Sequence, residues 1–274
     1  MNPTPYLGRP NLKAMALAVV LSAVLASTAH ATITVQDEYL LGEQDGPLAS
    51  NGNPVIESID ETGNNNLTVV SGTPTYSSNV DPGIGSTLSV DFGSTANALA
   101  TASNITIPAT NFGFEGWFDF TGSAAGNQQI VYLGTGTGQG AGLYDLSGEW
   151  SILVGSQATD ESGVAITPGW TYVALVYQNG DATFYINGDT ATATLTGVQS
   201  PYDNYDQGLS LGVGGFNGLA DDVEYFTFAP GQFSPSNLSI NNPPTVVPEP
   251  SQITLLFLGA GALALVYRLR ARRA

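Results

Sequence analysis

Hydrophobic and polar residues alternate in short runs through the middle of the chain, and glycine, asparagine or proline separates these runs. The clearest run extends from Trp170 to Tyr177 and is rich in aromatic and β-branched residues, which predicts a strand. Asn179-Gly180 follows, and this pair favours a two-residue hairpin turn because both positions must adopt positive φ. The pattern predicts an all-β sandwich with Greek-key or jelly-roll connections.

Between residues 86 and 228 the runs recur at a spacing of about ten residues, as in such sandwiches. The predicted strands lie near 87–92, 103–107, 112–120, 128–134, 142–154, 170–177, 181–187, 190–196, 207–213 and 219–228. Residues 33–85 contain strand fragments between turn-rich polar segments. Trp117, Trp150 and Trp170 fall inside predicted strands, so we expect them in the core.

The N-terminal region has a different pattern. A basic segment precedes an apolar run over residues 14–26, and the small-x-small sequence Ala29-His30-Ala31 follows. This order is typical of a secretory signal peptide over residues 1–31, which predicts a mature protein that begins at Thr32. Cleavage at this site removes His30, the only histidine of the sequence.

The C-terminal region contains a polar, proline-bearing segment over residues 233–246, which predicts a linker. The apolar run behind it predicts a transmembrane helix over residues 252–267. This run is short for a hydrocarbon core of about 30 Å, and snorkelling arginines would complete the span.

Three features occur in order at this end, namely a Pro-Glu-Pro motif, the apolar run and an arginine cluster. The residues of the motif and the cluster are Pro248, Glu249, Pro250, Arg268, Arg270, Arg272 and Arg273. Over residues 247–274 this order resembles the PEP-CTERM sorting tail of Gram-negative bacteria. The resemblance implies recognition by an exosortase-like membrane protease and a final location at the cell surface or in the extracellular matrix. A plain C-terminal membrane anchor is the alternative.

Charge is distributed unevenly along the chain. All six basic residues lie at the two ends, so residues 14–267 contain no Lys or Arg, whereas the sequence has 23 Asp and Glu residues. Such a surface repels phosphate, which excludes nucleic-acid partners, and it attracts divalent cations. A merely solvated acidic surface is the alternative. The sequence also has no cysteine, which excludes disulfides and thiolate metal sites.

Several motifs along the chain resemble, in their order, those of a known protein family. They are the acidic turn Asp60-Glu61-Thr-Gly63-Asn64, the strand Ser86 to Gly93, the segment Phe112 to Phe118, the tryptophan hairpin, and Phe216 to Phe226. In this order they resemble laminin-G-like members of the concanavalin A-like lectin/glucanase superfamily. We therefore expect a laminin-G-like jelly-roll β-sandwich domain over residues 32–232.

Without His, Cys or Lys, the mature body would contain neither a Ser-His-Asp triad nor a Schiff-base lysine, which leaves carboxylate chemistry. The resembling superfamily includes glycosidases, which use two carboxylates that flank a sugar. The nearest strings here are Glu115 to Asp119, which Trp117 interrupts, and Asp221 to Glu224. From this spacing we expect no catalytic acid pair that flanks a sugar cleft on the sheet face, and therefore a protein that is not an enzyme. A glycoside hydrolase of the same fold is the alternative.

The best ligand-loop candidate comprises Tyr202, Asp203, Asn204 and Tyr205. Sugar sites combine aromatic faces with a few placed polar groups, and this loop offers both. An ordinary solvated loop is the alternative.

We also expect calcium as a cofactor. Its oxygen ligands would come from Asp60, Glu61 and Asn64, which crowd one turn.

The resemblance adds Asp221 to this calcium site, because laminin-G-like relatives often hold calcium near the sheet rim. The alternative is that Asp221 caps backbone amides. Together these features predict an exported, non-enzymatic protein that binds or organises extracellular polysaccharide. A purely structural surface protein remains a further alternative.

Overall fold

The computed structural model describes residues 32–63, 65–93, 97–102, 105–121, 127–135, 139–154, 158–200 and 206–241. The strands of the N-terminal half are β1 (Ile33–Tyr39), β2 (Glu57–Ser58), β3 (Leu67–Ser71), β4 (Thr75–Ser77), β5 (Ser89–Asp91), β6 (Ala98–Thr101), β7 (Ile105–Thr106), β8 (Phe112–Phe120) and β9 (Gln128–Thr135). The following strands are β10 (Gln139–Leu146), β11 (Glu149–Val154), β12 (Ala158–Ala165), β13 (Trp170–Gln178), β14 (Asp181–Ile186), β15 (Ala191–Thr196), β16 (Asp206–Gln207), β17 (Leu209–Leu211) and β18 (Gly218–Phe228). Two 3₁₀ helices follow, Pro235–Asn237 and Ser239–Asn241.

Two eight-stranded antiparallel sheets form a β-sandwich. The front sheet has the order β15-β14-β13-β8-β18-β5-β4, and β1 pairs with β18 beside this path. The back sheet has the order β12-β11-β10-β9-β17-β6-β3-β2, and β16 pairs with β7 separately. The predicted all-β sandwich is confirmed, and its antiparallel, non-sequential strand order is consistent with a jelly roll.

The core lies between the two sheets because alternate residues of each strand face inward. Strand β8 shows this most clearly, since Phe112, Phe114, Phe118 and Phe120 are all buried. The ring of Phe120 meets Trp150 of the back sheet edge-to-face at a centroid distance of 5.5 Å. Such aromatic contacts across the sandwich join the two sheets into one core.

Local sequence predicted the β13–β14 hairpin correctly. Asn179 and Gly180 adopt φ of 54° and 92°, as a two-residue turn of this kind requires. The predicted single strand over 142–154 is wrong, because Ser147 and Gly148 make a turn with φ of 56° and 86° between β10 and β11.

The tryptophans do not share one environment. Trp150 is buried in the core, but Trp117 and Trp170 are only half-buried, which corrects the expectation that all three are core residues. Trp117 packs against Tyr172, a residue of the second apolar cluster described next, with their ring centroids 5.6 Å apart. The error arises because strand position alone does not tell which face of the sheet a side chain occupies.

The outer face of the front sheet carries this second apolar cluster, which includes Tyr172, Val176, Tyr185, Phe226 and Phe228. Residues 233–241, here called the strap, lie over this face, and the side chain of Leu238 within the strap is fully buried. The sequence assigns these residues to a linker, but their apolar side chains pack on the domain.

The predicted signal peptide, the rest of the linker and the predicted sorting tail with its apolar run lie outside the described residues. Within the described ranges, none of the helices is long and apolar enough to cross a membrane.

Candidate functional site

The predicted ligand loop, Tyr202 to Tyr205, lies outside the described residues, but its two flanks are placed. On one side, the Ser200 hydroxyl donates to the Ala109 carbonyl at 2.7 Å. Nearby, the Val198 amide donates to the Gly180 carbonyl of the β13–β14 turn at 2.8 Å. On the other side, β16 pairs with β7. The leading flank is therefore anchored beside the β13–β14 turn.

The carboxylate of Asp60, a predicted calcium ligand, organises its own turn. Its Oδ1 accepts hydrogen bonds from the Glu38 and Thr62 amides at 3.0 and 2.9 Å. Its Oδ2 accepts from the Thr62 hydroxyl at 2.7 Å and from the Asn65 amide at 3.0 Å. Both oxygens of Asp60 therefore accept hydrogen bonds from protein donors. Glu61 is exposed beside it, and Asn64 lies outside the described residues.

Asp221 lies on β18, where its side chain is fully buried. Its Oδ1 accepts from the amide of Asp222 at 3.0 Å, while its Oδ2 has no hydrogen-bond partner. Burial raises the pKa of Asp221, and the nearby carboxylates of Asp222 and Glu43 raise it further. The nearby Ser86 side chain lowers the pKa of Asp221 in turn. The amide contact matches the capping alternative.

The predicted ligands do not come together as a set. In the described part of the chain, no group of three acidic side chains is arranged so that it could hold a metal ion. Asp60 interacts with Asp37 and Glu38, whereas the neighbours of Asp221 are Asp222 and Glu43. Calcium binding stays a prediction.

A groove of about 210 Å³ opens on the outer face of the front sheet, next to the β13–β14 turn. It is lined by Val176, Gln178, Asn179, Asp181, Thr183, Tyr185, Thr194 and Phe233. Val176, Thr183 and Thr194 are neighbours in register across β13, β14 and β15, and register neighbours point to the same face. The hydroxyls of the two threonines lie 3.3 Å apart on the groove floor.

The strap supplies one wall of this groove through Phe233. The Phe233 ring lies 5.9 Å from the Tyr185 ring and stacks on Phe226 at 6.4 Å with an interplanar angle of 8°. Phe226 can take this position because its neighbour on β8 is Gly113. A Cβ on Gly113 would lie 2.3 Å from Cζ of Phe226, closer than any real contact.

The groove has a half-exposed aromatic wall and neutral hydrogen-bonding groups, with Asp181 as the one charged residue among those that line it. Such a combination suits a neutral polyhydroxylated ligand. A second cavity of about 220 Å³ is lined by Leu48, Ile56 and Tyr76, among others. Its polar groups bond to one another, since the Tyr76 hydroxyl donates to Asp45 at 3.0 Å. The groove is therefore the better candidate site.

Next to the groove floor, Glu115 of β8 lies directly opposite Glu224 of β18. Glu115 is fully buried, Glu224 is 6% exposed, and their carboxyl groups lie close enough that each affects the pKa of the other. The Tyr172 hydroxyl and the Ser239 amide also donate to Oε2 of Glu115, the amide at 3.1 Å. The acid strings along single strands do not predict this pair, which forms across two strands.

Burial is the main cause that raises the pKa of both carboxyl groups, and Glu115 raises the pKa of Glu224 further. Neighbouring buried carboxyl groups cannot both ionise readily, so ionisation of one raises the pKa of the other. Glycosidase acids stand about 5–5.5 Å or about 6.5–9.5 Å apart with the sugar between them. Here both acids are buried beneath the strap instead of flanking an open cleft, which differs from the arrangement of a glycosidase pair.

The groove and the acid pair were not predicted as sites from the sequence. Acids spaced along one strand, such as Glu115 and Asp119, do not reveal this pair, because it forms between two strands. The signal that would have revealed it is the pairing of the segment Phe112 to Phe118 with the last strand.

Comparisons with known proteins agree with this fold. The laminin G profile of the concanavalin A-like lectin/glucanases superfamily matches residues 92–232. Curated proteins give no match. Domain 4 of AbnA, a GH43 extracellular arabinanase from Geobacillus stearothermophilus solved in complex with arabinotriose, superposes with a TM-score of 0.59. It is 16% identical over 77% of this chain and 98% of that chain.

The binding domain of botulinum neurotoxin DC in complex with SialylT superposes with a TM-score of 0.49. It is 11% identical over 70% of this chain and 52% of that chain. At such identities a structural likeness concerns the fold alone. The profile match, by contrast, covers just over half of the sequence. The chain belongs to the concanavalin A-like lectin/glucanase superfamily.

Proposed function

We propose that this protein binds extracellular polysaccharide without cleaving it, and that the sugar occupies the groove on the front sheet. The observation that carries the proposal is the groove itself, in which the half-exposed Phe233 faces the polar side chains of Gln178, Thr183 and Thr194. An aromatic ring packs on the apolar face of a sugar, while hydroxyl and amide groups bond to its hydroxyls.

Charge narrows the class of sugar. The body has no Lys or Arg between residues 14 and 267, and the charged group among the residues that line the groove is the carboxylate of Asp181. An acidic polysaccharide would be repelled by this surface. The ligand class is therefore a neutral or amino-sugar polymer.

Two further features support the proposal. The domain of AbnA that shares this fold was solved with arabinotriose, an oligosaccharide. The predicted ligand loop Tyr202 to Tyr205 follows Ser200, whose anchor lies beside the β13–β14 turn at one end of the groove.

The cellular setting of this function is also a proposal. The N-terminal pattern of residues 1–31 supports export, and the Pro248-Glu249-Pro250 tail supports sorting by an exosortase-like protease of a Gram-negative bacterium. Sugar binding would then hold the protein in the extracellular matrix or at the cell surface. A glycoside hydrolase and a purely structural protein are the alternative functions.

A panel of neutral, amino-sugar and acidic polysaccharides tests the proposal, with affinity measured by calorimetry on the hits. Phe233→Ala should weaken binding about tenfold, the effect of losing one central aromatic contact worth over 1 kcal/mol. Phe233→Tyr should retain affinity. Thr183→Val should weaken binding, whereas Thr190→Val, at an exposed position outside the groove, should not.

Failure to bind any polymer would contradict the proposal and favour a structural role. If the unaltered protein releases reducing ends from a polysaccharide and Glu115→Gln does not, the result would instead favour a hydrolase.

A further inference from the structure

The acid pair and the groove lie in adjacent rows of the same sheet face. Register neighbours Glu38, Glu224, Glu115, Ala174 and Tyr185 form one row across β1, β18, β8, β13 and β14. The next row, two residues along β18, β8, β13 and β14, contains Phe226, Gly113, Val176 and Thr183. It continues to Thr194 of β15, the register neighbour of Thr183. Tyr185 belongs to the acid row and also lines the groove.

The strap connects the two rows. Its Ser239 amide donates to the Glu115 carboxyl at 3.1 Å, and Phe233 at its other end forms the groove wall. Leu238 is fully buried between these two contacts. Movement of the strap away from the acid pair would therefore also displace the aromatic wall of the groove.

The contact between strap and sheet depends on one proton. Glu115 and Glu224 are buried register neighbours, and none of the described residues donates a hydrogen bond to Oε1 of Glu115. A proton on Glu224 therefore supplies the donor that this site lacks. The other titratable groups that face the pair are the Tyr172 hydroxyl, which donates to Glu115, and the carboxylates of Glu38 and Asp222. The strap contributes no titratable side chain, and no basic residue is available between residues 14 and 267.

Loss of this proton would place two neighbouring carboxylates in a buried site, which is strongly unfavourable. Water can relieve this cost only where the cover opens, and the cover over Glu115 is the strap. The closed state therefore binds the proton more tightly than the open state, so rising pH favours the open state.

We propose that the proton shared by Glu115 and Glu224 latches the strap onto the front sheet, so that the groove is complete at acidic pH and loses Phe233 at alkaline pH. This inference rests on the proposed function only in its consequence for sugar binding. The latch itself concerns the strap and the sheet.

Hydrogen exchange on the full chain between about pH 5 and pH 9 tests the latch, after correction for intrinsic exchange. Protection of residues 233–241 should fall as pH rises, by up to about tenfold per pH unit once opening releases one proton. Protection of β13 should fall less, because it lies in the middle of the sheet.

Glu224→Gln supplies a permanent amide donor to Glu115 and should make strap protection nearly independent of pH. Glu161→Gln, an exposed acid on β12 of the opposite sheet, should leave the pH dependence unchanged. If Glu224→Gln does not fold, the pH dependence of strap protection relative to β13 protection in the unaltered chain still tests the latch.

Sugar affinity measured over the same pH range separates the latch from the proposed function. A strap that opens with rising pH while affinity falls supports both. Strap protection that stays constant from about pH 5 to pH 9 overturns the latch, even if sugar binds. If the strap opens with rising pH but the protein binds no sugar at any pH, the result supports the latch and counts against the proposed function.

Discussion

The ring of Phe233 stacks on that of Phe226, with centroids 6.4 Å apart and planes inclined by only 8°. This contact fixes the start of the strap to the last strand of the front sheet. It also places an aromatic wall beside Thr183 and Thr194, so the contact that closes the fold also shapes the groove.

Gly113 makes room for this arrangement, and Gly113→Ala should be destabilising. The added Cβ would lie 2.3 Å from the Phe226 ring and 2.8 Å from the Leu175 carbonyl oxygen. Overpacking of this kind typically costs about 1–3 kcal/mol. Urea unfolding measures the change, with Gly188→Ala as the control because nothing crowds that position. Equal stability of the two variants would show that Phe226 does not lie over Gly113.

Leu238→Ala distinguishes a packed strap from a linker. Leu238 is fully buried, and truncation of a buried leucine costs about 2–5 kcal/mol. The free energy of unfolding should fall by that amount, whereas Ser236→Ala, at an exposed strap position, should change it by less than about 0.5 kcal/mol. If Leu238→Ala changes the free energy of unfolding as little as the control does, residues 233–241 do not pack on the sheet.

The domain should be most stable at acidic pH. Burial is the largest of the causes that raise the pKa of Asp37, Asp45 and Asp145 from 3.8 to about 6. In the unfolded chain these groups ionise near pH 4. Their contribution to stability is therefore fully present below about pH 4 and is lost as pH rises through about 6.

The melting temperature at constant ionic strength should accordingly be higher at about pH 5 than at about pH 8. Many proteins show the opposite trend because their acids are paired with bases, but no base is present between residues 14 and 267. A maximum of stability near neutral pH would mean that these acids are solvated in the folded state.

Calcium should stabilise the protein if Asp221 holds a cation. A ligand that binds only the folded state adds about 2.7 kcal/mol at a hundredfold excess over its Kd. Melting in millimolar calcium chloride is compared with melting in sodium chloride of equal ionic strength, and Asp221→Asn should abolish the difference. Asp60→Asn should instead destabilise the turn in both salts. Equal shifts in both salts would indicate simple screening.

The parts of the fold that local sequence determines were predictable. The Asn179-Gly180 turn needs positive φ at both positions, and asparagine and glycine tolerate it at low cost. The turn at Ser147 was missed because serine is a weaker signal for positive φ. Strand patterning therefore predicted the sandwich but merged two of its strands.

The candidate site depended on contacts that no local pattern encodes. Glu115 and Glu224 are neighbours because β8 pairs with β18. The sequence of either strand alone does not show that the two acids lie side by side. Pro235 and its neighbouring serines are typical of a linker, yet Leu238 is buried by the tertiary structure. The predicted ligand loop lies outside the described residues, and Ser200 is the described residue on the side that precedes it.

The central claim is that sugar binds in the groove of the front sheet. An NMR titration of the ¹⁵N-labelled protein with an oligosaccharide of the bound polymer tests it most directly. We expect amide shifts concentrated at Gln178, Asn179, Thr183, Thr194 and the strap residue Phe233, and saturation of these shifts at about tenfold higher oligosaccharide concentration in Phe233→Ala. Shifts that concentrate instead around the cavity of Leu48, Ile56 and Tyr76, or at the exposed edge of the back sheet, would contradict it.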